Sequence, residues 1–275
     1  MAKVVVIIPI YKESMTKEEE ASLKQCIKVL GEYPIRFVCP ENLNISLYNN
    51  FLACYDINVE FVKFKSDYFS SIIKYNQLML SLGFYQRFSD YQYMLIYQLD
   101  AWVFGDELEY WCSSGYDYIG APWFVGYNNP GENPKLHQFA GNGGFSLRKI
   151  ESFIKVLSLI SSHKYDSKRI KTIYELDKEF QFPFYKKFKI LKKYFSKKNS
   201  LKYFLDNVYE DIVIVSCFKC IDKNFKLPIS SKALKFSFEV NPEILFEMNN
   251  KKLPFGCHAF KKYNYDFWKN YIKIE

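Results

Sequence analysis

The sequence predicts an α/β fold built on an open, mostly parallel sheet of doubly wound character. Short apolar runs alternate with an amphipathic segment, and one of those runs stops at a carboxylate. Val4 to Ile10 is unbroken, rich in β-branched residues and too short for a buried helix. It therefore reads as a central parallel strand covered on both faces, ended by Pro9. The acidic stretch Thr16 to Glu20 leads into Leu23, Cys26, Ile27 and Leu30, whose spacing suits a helix closed by Gly31. Ile35 to Val38 and Val59 to Phe64 are strand-like, Ser70 to Phe88 reads as one helix, and Tyr93 to Leu99 is the next strand. The glycine-, asparagine- and proline-containing region from Gly115 to Leu147 reads as loops around a short strand at Tyr118 to Gly120, and Ile150 to Ile160 returns to helical spacing.

A chain of 275 residues suffices for one large α/β domain. The aromatic share of 19% suits stacking on sugar rings as well as an aromatic-rich core. Lys186, Lys187, Lys189, Lys192, Lys193, Lys197, Lys198 and Lys202 crowd into one stretch, so the net charge of +8 is local. A nucleic-acid groove spreads its charge more widely, which argues against that partner. The seven cysteines are odd in number and form no zinc pattern, since Cys217 and Cys220 lack a second pair. Reduced thiols, and a start that lacks the pattern of a signal peptide, lead to the expectation of a cytoplasmic protein.

Four short motifs carry chemistry. Gln98-Leu99-Asp100-Ala101-Trp102 ends a buried strand, with Asp106 just beyond. In open α/β sheets ligands bind past the carboxyl ends of strands, so Asp100 is placed either to meet a metal or diphosphate or to cap a turn. Gly141-Asn142-Gly143-Gly144-Phe145-Ser146-Leu147-Arg148 lets the main chain approach a sugar or phosphate closely, or simply turns. Its spacing matches neither a dinucleotide fingerprint nor a phosphate-binding loop. Glu210 and Asp211 open an apolar segment, where an ionised carboxylate can take a proton from a sugar hydroxyl or cap the element. His258, within Pro254-Phe255-Gly256-Cys257-His258-Ala259, is either a metal ligand or a core histidine.

The ordered set of Pro-Ile-Tyr at a strand end, Tyr-Gln-Leu-Asp-Ala, Asp-Tyr-Ile-Gly-Ala-Pro-Trp, Gly-Asn-Gly-Gly-Phe-Ser-Leu-Arg, Glu-Asp and Pro-Phe-Gly-Cys-His-Ala covers nearly the whole chain. It resembles a glycosyltransferase-like family of unknown function, and its logic is similar to that of inverting GT-A transferases. The resemblance implies a GT-A-like, Rossmann-like open mixed sheet flanked by helices in a single domain, residues 1–275. Residues 1–110 would form the half that binds the nucleotide sugar, and 111–275 the acceptor half. By that resemblance Asp100 is the last acid of the metal motif, Asp211 with Glu210 supplies the base, and His258 is the C-terminal metal ligand. Trp123, Asn142, Gly143 and Gly144 would line the sugar and acceptor site, and Pro9, Ile10, Tyr11, Asn76 and Gln98 would belong to the donor end.

The implied cofactor is Mn²⁺ or Mg²⁺. Gln98 stands where the first acid of the metal motif is usual, so the cation would rest on Asp100, His258, the diphosphate and water. The implied reaction moves a sugar from a nucleotide-diphosphate donor to a hydroxyl of a glycan or lipid-linked glycan, in surface polysaccharide or glycoconjugate synthesis, with inversion favoured over retention. A non-catalytic sugar-binding module on the same fold is the alternative, motivated by Gln98. Residues 184–205 interleave lysines with aromatics, which suits a helix lying on the inner face of a membrane or one packed on the domain.

Overall fold

In a computed structural model of the chain, residues 3–139, 141–162, 205 and 208–274 are described. The basic segment expected at 184–205 therefore lies outside the described residues, apart from Leu205. The strands are β1 (Val4–Pro9), β2 (Ile35–Pro40), β3 (Val59–Phe64), β4 (Tyr93–Tyr97), β5 (Trp102–Val103), β6 (Tyr118–Ile119), β7 (Phe145–Lys149), β8 (Ser237–Phe238) and β9 (Gly256–Cys257). Six of them form one sheet in the order β3-β2-β1-β4-β7-β6, and β5-β9-β8 form a second, smaller one. In the large sheet β3, β2, β1 and β4 are parallel, while β7 runs antiparallel to both β4 and β6. This is the open, mixed, mostly parallel sheet flanked by helices that the sequence leads one to expect.

The helices up to the second half of the chain are α1 (Lys17–Leu30), α2 (Ser46–Leu52), α3 (Ile72–Met79), α4 (Leu82–Gln86), α5 (Leu108–Ser113) and α6 (Ile150–Ser161), and a helical turn α7 spans Glu210–Val213. Both faces of β1 are buried, which is why its sequence is apolar throughout rather than alternating. Val4, Val6 and Ile8 pack with Leu23, Cys26, Ile27 and Leu30 of α1. Val5 and Ile7 face the other side, with Phe84 of α4 and Phe153, Val156 and Leu157 of α6. A capping box starts α1: Thr16 accepts from the Glu19 amide at 3.2 Å, and Glu19 accepts from the Thr16 amide at 2.8 Å.

The single helix expected over 70–88 is divided. Residues 66–69 form a 3-10 turn, and α3 and α4 are separated at Leu80 and Ser81. Ser81 is extended, and its hydroxyl accepts from the Phe84 amide at 3.3 Å. A serine offers the backbone this local alternative to continued helix, and periodicity alone does not register it.

The strand order changes direction between β1 and β4, so the loops leaving their carboxyl ends flank a crevice at a topological switch point. β4 ends earlier than its apolar run, at Tyr97, because Gln98 begins a tight turn in which its carbonyl accepts from the Ala101 amide at 2.8 Å. Ser22 of α1 fixes that turn by donating to the Ala101 carbonyl at 2.6 Å. The small sheet then packs its own core of Trp102, Phe238, Cys257, Phe260 and Trp268. No described helix is long and apolar enough to cross a membrane.

Candidate functional site

Strand register brings motifs that are distant in sequence to one place. Tyr97 of β4 stands opposite Phe145 of β7, so the residues just outside the ladder, Gln98 and Gly144, meet, with the Gln98 amide donating to the Gly144 carbonyl at 2.9 Å. The glycine loop is thereby laid along the turn that carries Asp100. In the small sheet Cys257 pairs with Trp102 on one side and Phe238 on the other. The next residue along from each, His258 and Glu239, therefore lie together, and Asp100 is held just before β5 by its carbonyl accepting from the Phe260 amide at 3.3 Å.

The resulting geometry centres on His258. Its Nε2 lies 3.2 Å from Asp100 Oδ1 and 3.1 Å from Gln98 Oε1, and its Nδ1 lies 3.1 Å from Glu239 Oε1. Asn142 Nδ2 donates to the same Glu239 oxygen at 2.8 Å, while Asn142 Oδ1 accepts from the Gly144 amide at 2.9 Å. The glycines are required by closeness rather than by unusual dihedrals. A Cβ at Gly144 would overlap the His258 ring, and one at Gly143 would overlap the Glu210 carboxylate. Burial opposes a charged imidazole, yet Asp100 and Glu239 beside His258 push its pKa up to about 10. Desolvation likewise works against the half-exposed Asp100 carboxylate, but His258 holds it below its ordinary range. The oxygens around Nε2 thus call for positive charge at that spot.

The protonated His258 ring supplies that charge here, and a divalent cation would supply it in place of the proton. Asp100 Oδ1 and Gln98 Oε1, at 3.2 and 3.1 Å from His258 Nε2, are the atoms that would hold the cation together with that nitrogen. Among the described residues no group of three or more His, Cys, Asp or Glu gathers for a metal. The protein's share is one carboxylate, one imidazole and one amide oxygen, which leaves positions for phosphate oxygens and water, as such ions prefer when they bind phosphates. The donor set fits Mn²⁺ or Mg²⁺.

On the other flank of the glycine loop stands a buried ion pair. Arg148 of β7 is fully buried, with Nη2 at 2.9 Å from Glu210 Oε1 and 3.3 Å from the Gly143 carbonyl. Its Nη1 donates to Tyr85 Oη at 3.0 Å and its Nε to Ser146 Oγ at 3.1 Å. Glu210 is thereby committed to Arg148 at the head of α7, and of the two adjacent acids only Asp211 lacks an ion-pair partner among the described residues. Asp211 Oδ1 accepts from the Ile212 amide at 2.8 Å. Burial first, and then Glu210 and Glu239, push its carboxyl well above the usual carboxylate range. A carboxyl tuned upward in this way suits acid–base work near neutral pH. The chain leaves α7 through a π-helical turn, Ile214–Phe218, a distortion frequent near functional sites.

The other residues singled out from the sequence are placed unevenly. Pro9 and Ile10 are buried at the carboxyl end of β1, next to β4, and Tyr11 beyond them is 60% exposed, with the Lys12 ammonium 5.3 Å from its ring centre. Asn76 is buried on α3. Its neighbour Tyr75 accepts a long bond from Gln98 Nε2 at 3.5 Å. Trp123, expected to line the sugar site, is 6% exposed and belongs to the core that includes Phe153 and Phe84. Asp106 lies away from the turn and accepts from Tyr33 Oη at 3.1 Å. Glu239 and the pairing of Arg148 with Glu210 were missed. The one signal for Glu239 was a lone acid in the apolar run Phe236 to Val240.

Over residues 58–258 the sequence matches the family described as "Protein of unknown function (DUF5672)". The chain belongs to that family. The DUF5672 match takes in Asn76, Gln98, Asp100, the glycine loop, Asp211, Glu239 and His258, and leaves out Pro9, Ile10 and Tyr11. No curated protein matches the chain. Solved structures similar to it at low identity include several glycosyltransferases and a 4-diphosphocytidyl-2C-methyl-D-erythritol synthase of Anaerococcus prevotii. One is the galactosyltransferase LgtC in complex with donor and acceptor sugar analogues (12% identity, TM-score 0.49, 92% of this chain and 86% of that one). Another is the apo-form glycosyltransferase GlyE of Streptococcus pneumoniae (10% identity, TM-score 0.49, 99% of this chain and 61% of that one). A third is the bifunctional glycosyltransferase WbbM (14% identity, TM-score 0.48, 94% of this chain and 45% of that one).

Proposed function

We propose that the protein is an inverting, metal-assisted glycosyltransferase. In this reading it moves a sugar from a nucleotide-diphosphate donor to a hydroxyl of a glycan or lipid-linked glycan acceptor, in surface polysaccharide or glycoconjugate synthesis. The observation that carries the reading is the convergence of Gln98, Asp100 and His258, the glycine loop and Asp211 around the switch point of the sheet. The reading keeps one domain over 1–275, with a donor half at 1–110 and an acceptor half at 111–275, in the cytoplasmic setting expected from the cysteines.

Asp100 Oδ1, His258 Nε2 and Gln98 Oε1 would hold the cation, whose chemistry there is to neutralise charge gathering on the departing diphosphate. Pro9, Ile10, Tyr11 and Asn76 form the base end of the crevice. Gly143 and Gly144, bare of side chains, let the Glu210 carboxylate and the His258 ring pack against the loop, and the sugar would lie along that loop between the cation ligands and Asp211. Asp211 takes the proton of the acceptor hydroxyl as that oxygen attacks the anomeric carbon from the face opposite the leaving group, so the product has inverted configuration. Glu210 serves by holding Asp211 in place through Arg148, rather than by touching substrate.

The test is a screen of purified protein against common nucleotide sugars with Mn²⁺, Mg²⁺ or chelator, reading release of nucleoside diphosphate. Release from one donor is expected, chelator-sensitive and lost in Asp100→Ala and His258→Ala. A donor that binds yet is neither hydrolysed nor transferred to any acceptor would favour the non-catalytic sugar-binding module. Hydrolysis that is indifferent to chelator would remove the cation from the scheme.

A further inference from the structure

Glu239 has a role that neither its sequence context nor the proposed reaction assigns. It is 4% exposed, and its Oε1 accepts from both Asn142 Nδ2 at 2.8 Å and His258 Nδ1 at 3.1 Å. Its Oε2 is buried without a hydrogen-bond partner. The Asn142 amide alone could be served equally by the carbonyl of a glutamine, which has two lone pairs, so the carboxylate answers positive charge at His258, carried by the protonated ring or by a cation bound at Nε2. A desolvated, half-unpaired carboxylate is costly and persists where a positive charge lies close by. Hydrogen bonding to Nδ1 fixes the ring so that Nε2 faces Asp100 Oδ1 and Gln98 Oε1.

The geometry points to Glu239 as a positioning residue for a divalent cation at His258, an inference that rests on the proposed metal-assisted reading. Glu239 holds Nδ1 protonated and leaves Nε2 as the ligand. Its negative charge raises the basicity of the imidazole. Through Asn142 the same oxygen ties the cation site to the glycine loop, because Asn142 Oδ1 carries the Gly144 amide. One buried carboxylate atom thus sets the position of the metal ligand and of the backbone against which the sugar would lie.

The experiment is a Mn²⁺ titration followed by electron paramagnetic resonance, using the full chain without donor, for the parent, Glu239→Ala and Glu239→Gln. Circular dichroism would check that each variant folds. The Ala variant is expected to bind Mn²⁺ about 10–100-fold more weakly. The Gln variant, which keeps an oxygen for Nδ1 but loses the charge, should fall between Ala and the parent. A long-range ¹H–¹⁵N spectrum, with His258 distinguished from His137 and His163 by a His258→Ala sample, should find Nδ1 protonated in the parent and in Gln but not in Ala. If the Ala variant fails to fold, the weaker affinity and retained tautomer of Gln carry the test. Equal Mn²⁺ affinity in the parent and both variants would overturn the role of Glu239 while leaving the transferase reading intact. Absence of Mn²⁺ binding by the parent itself would overturn the cation site and this inference together.

Discussion

Asp211→Asn is expected to lower sugar transfer by about 10²–10⁴-fold, the usual contribution of a positioned general base, with donor affinity unchanged. The variant keeps the oxygen that accepts from the Ile212 amide, so the loop and α7 have no reason to move. What it loses is the capacity to hold a proton, and that capacity is unusual here. Burial, Glu210 and Glu239 push the Asp211 carboxyl well above its ordinary range. A base must be ionised to act, so transfer by the parent should rise with pH through that elevated value. The residual activity of the Asn variant should be flat over the same interval.

The same shift fixes the sign of a stability effect. A carboxyl whose pKa is higher folded than unfolded favours the fold most fully below its unfolded value near 3.9, and that contribution is lost as pH rises toward the folded value. The parent should therefore lose Tm from pH 5 to pH 8 more steeply than Asp211→Asn, which carries no charge to bury. Scanning calorimetry at the two pH values checks this. A parallel pair of curves would mean that Asp211 titrates normally, and retained transfer would remove it from the role of base.

Arg148→Met should cost roughly 3–5 kcal/mol of stability, the range found when one partner of a buried ion pair is removed and the other is left unpaired. Here the stranded partner is Glu210, and the Gly143 carbonyl loses a donor as well. Because the cost lies mainly in the abandoned charge, Arg148→Met combined with Glu210→Leu should recover most of the stability. It should not recover activity, since the pair holds the Gly143 carbonyl on one side and Glu210, the neighbour of Asp211, on the other. Urea unfolding of the two single variants and the double variant, with transfer measured on each, separates these contributions. A double variant as active as the parent would show that the pair serves the fold alone.

The legible and illegible parts of the sequence divide along the range of the interactions involved. β1, β2, β3 and α1 could be read because their signals are local: β-branched runs bounded by turn residues, and a threonine three residues before a glutamate. The break at Ser81 was lost because a serine inside an apolar period looks the same whether it caps or continues a helix. In the site, the motifs at 98–100, 141–144 and 258 were visible as residue types, and the register of β4 with β7 and of β8 with β9 brings them together. Register was not visible. β8 and β9 are each two residues long, too short for any periodic pattern, so the only mark of Glu239 was its place as a lone acid in the run Phe236 to Val240. Glu210 and Asp211 were indistinguishable as neighbours, and only Arg148, far along the chain, commits one of them and leaves the other free to act.

The central claim is that the crevice at the end of β4 holds a nucleoside diphosphate against a cation. Equilibrium binding tests it more directly than turnover, because an enzyme that needs its acceptor still binds its donor. Isothermal titration of the parent and of Asp100→Ala with the common nucleoside diphosphates, each with Mn²⁺ and with chelator, is the measurement. The account predicts binding of one diphosphate by the parent, strengthened at least about tenfold by Mn²⁺, with that enhancement lost in Asp100→Ala. Binding of none by the folded parent in Mn²⁺ would contradict it.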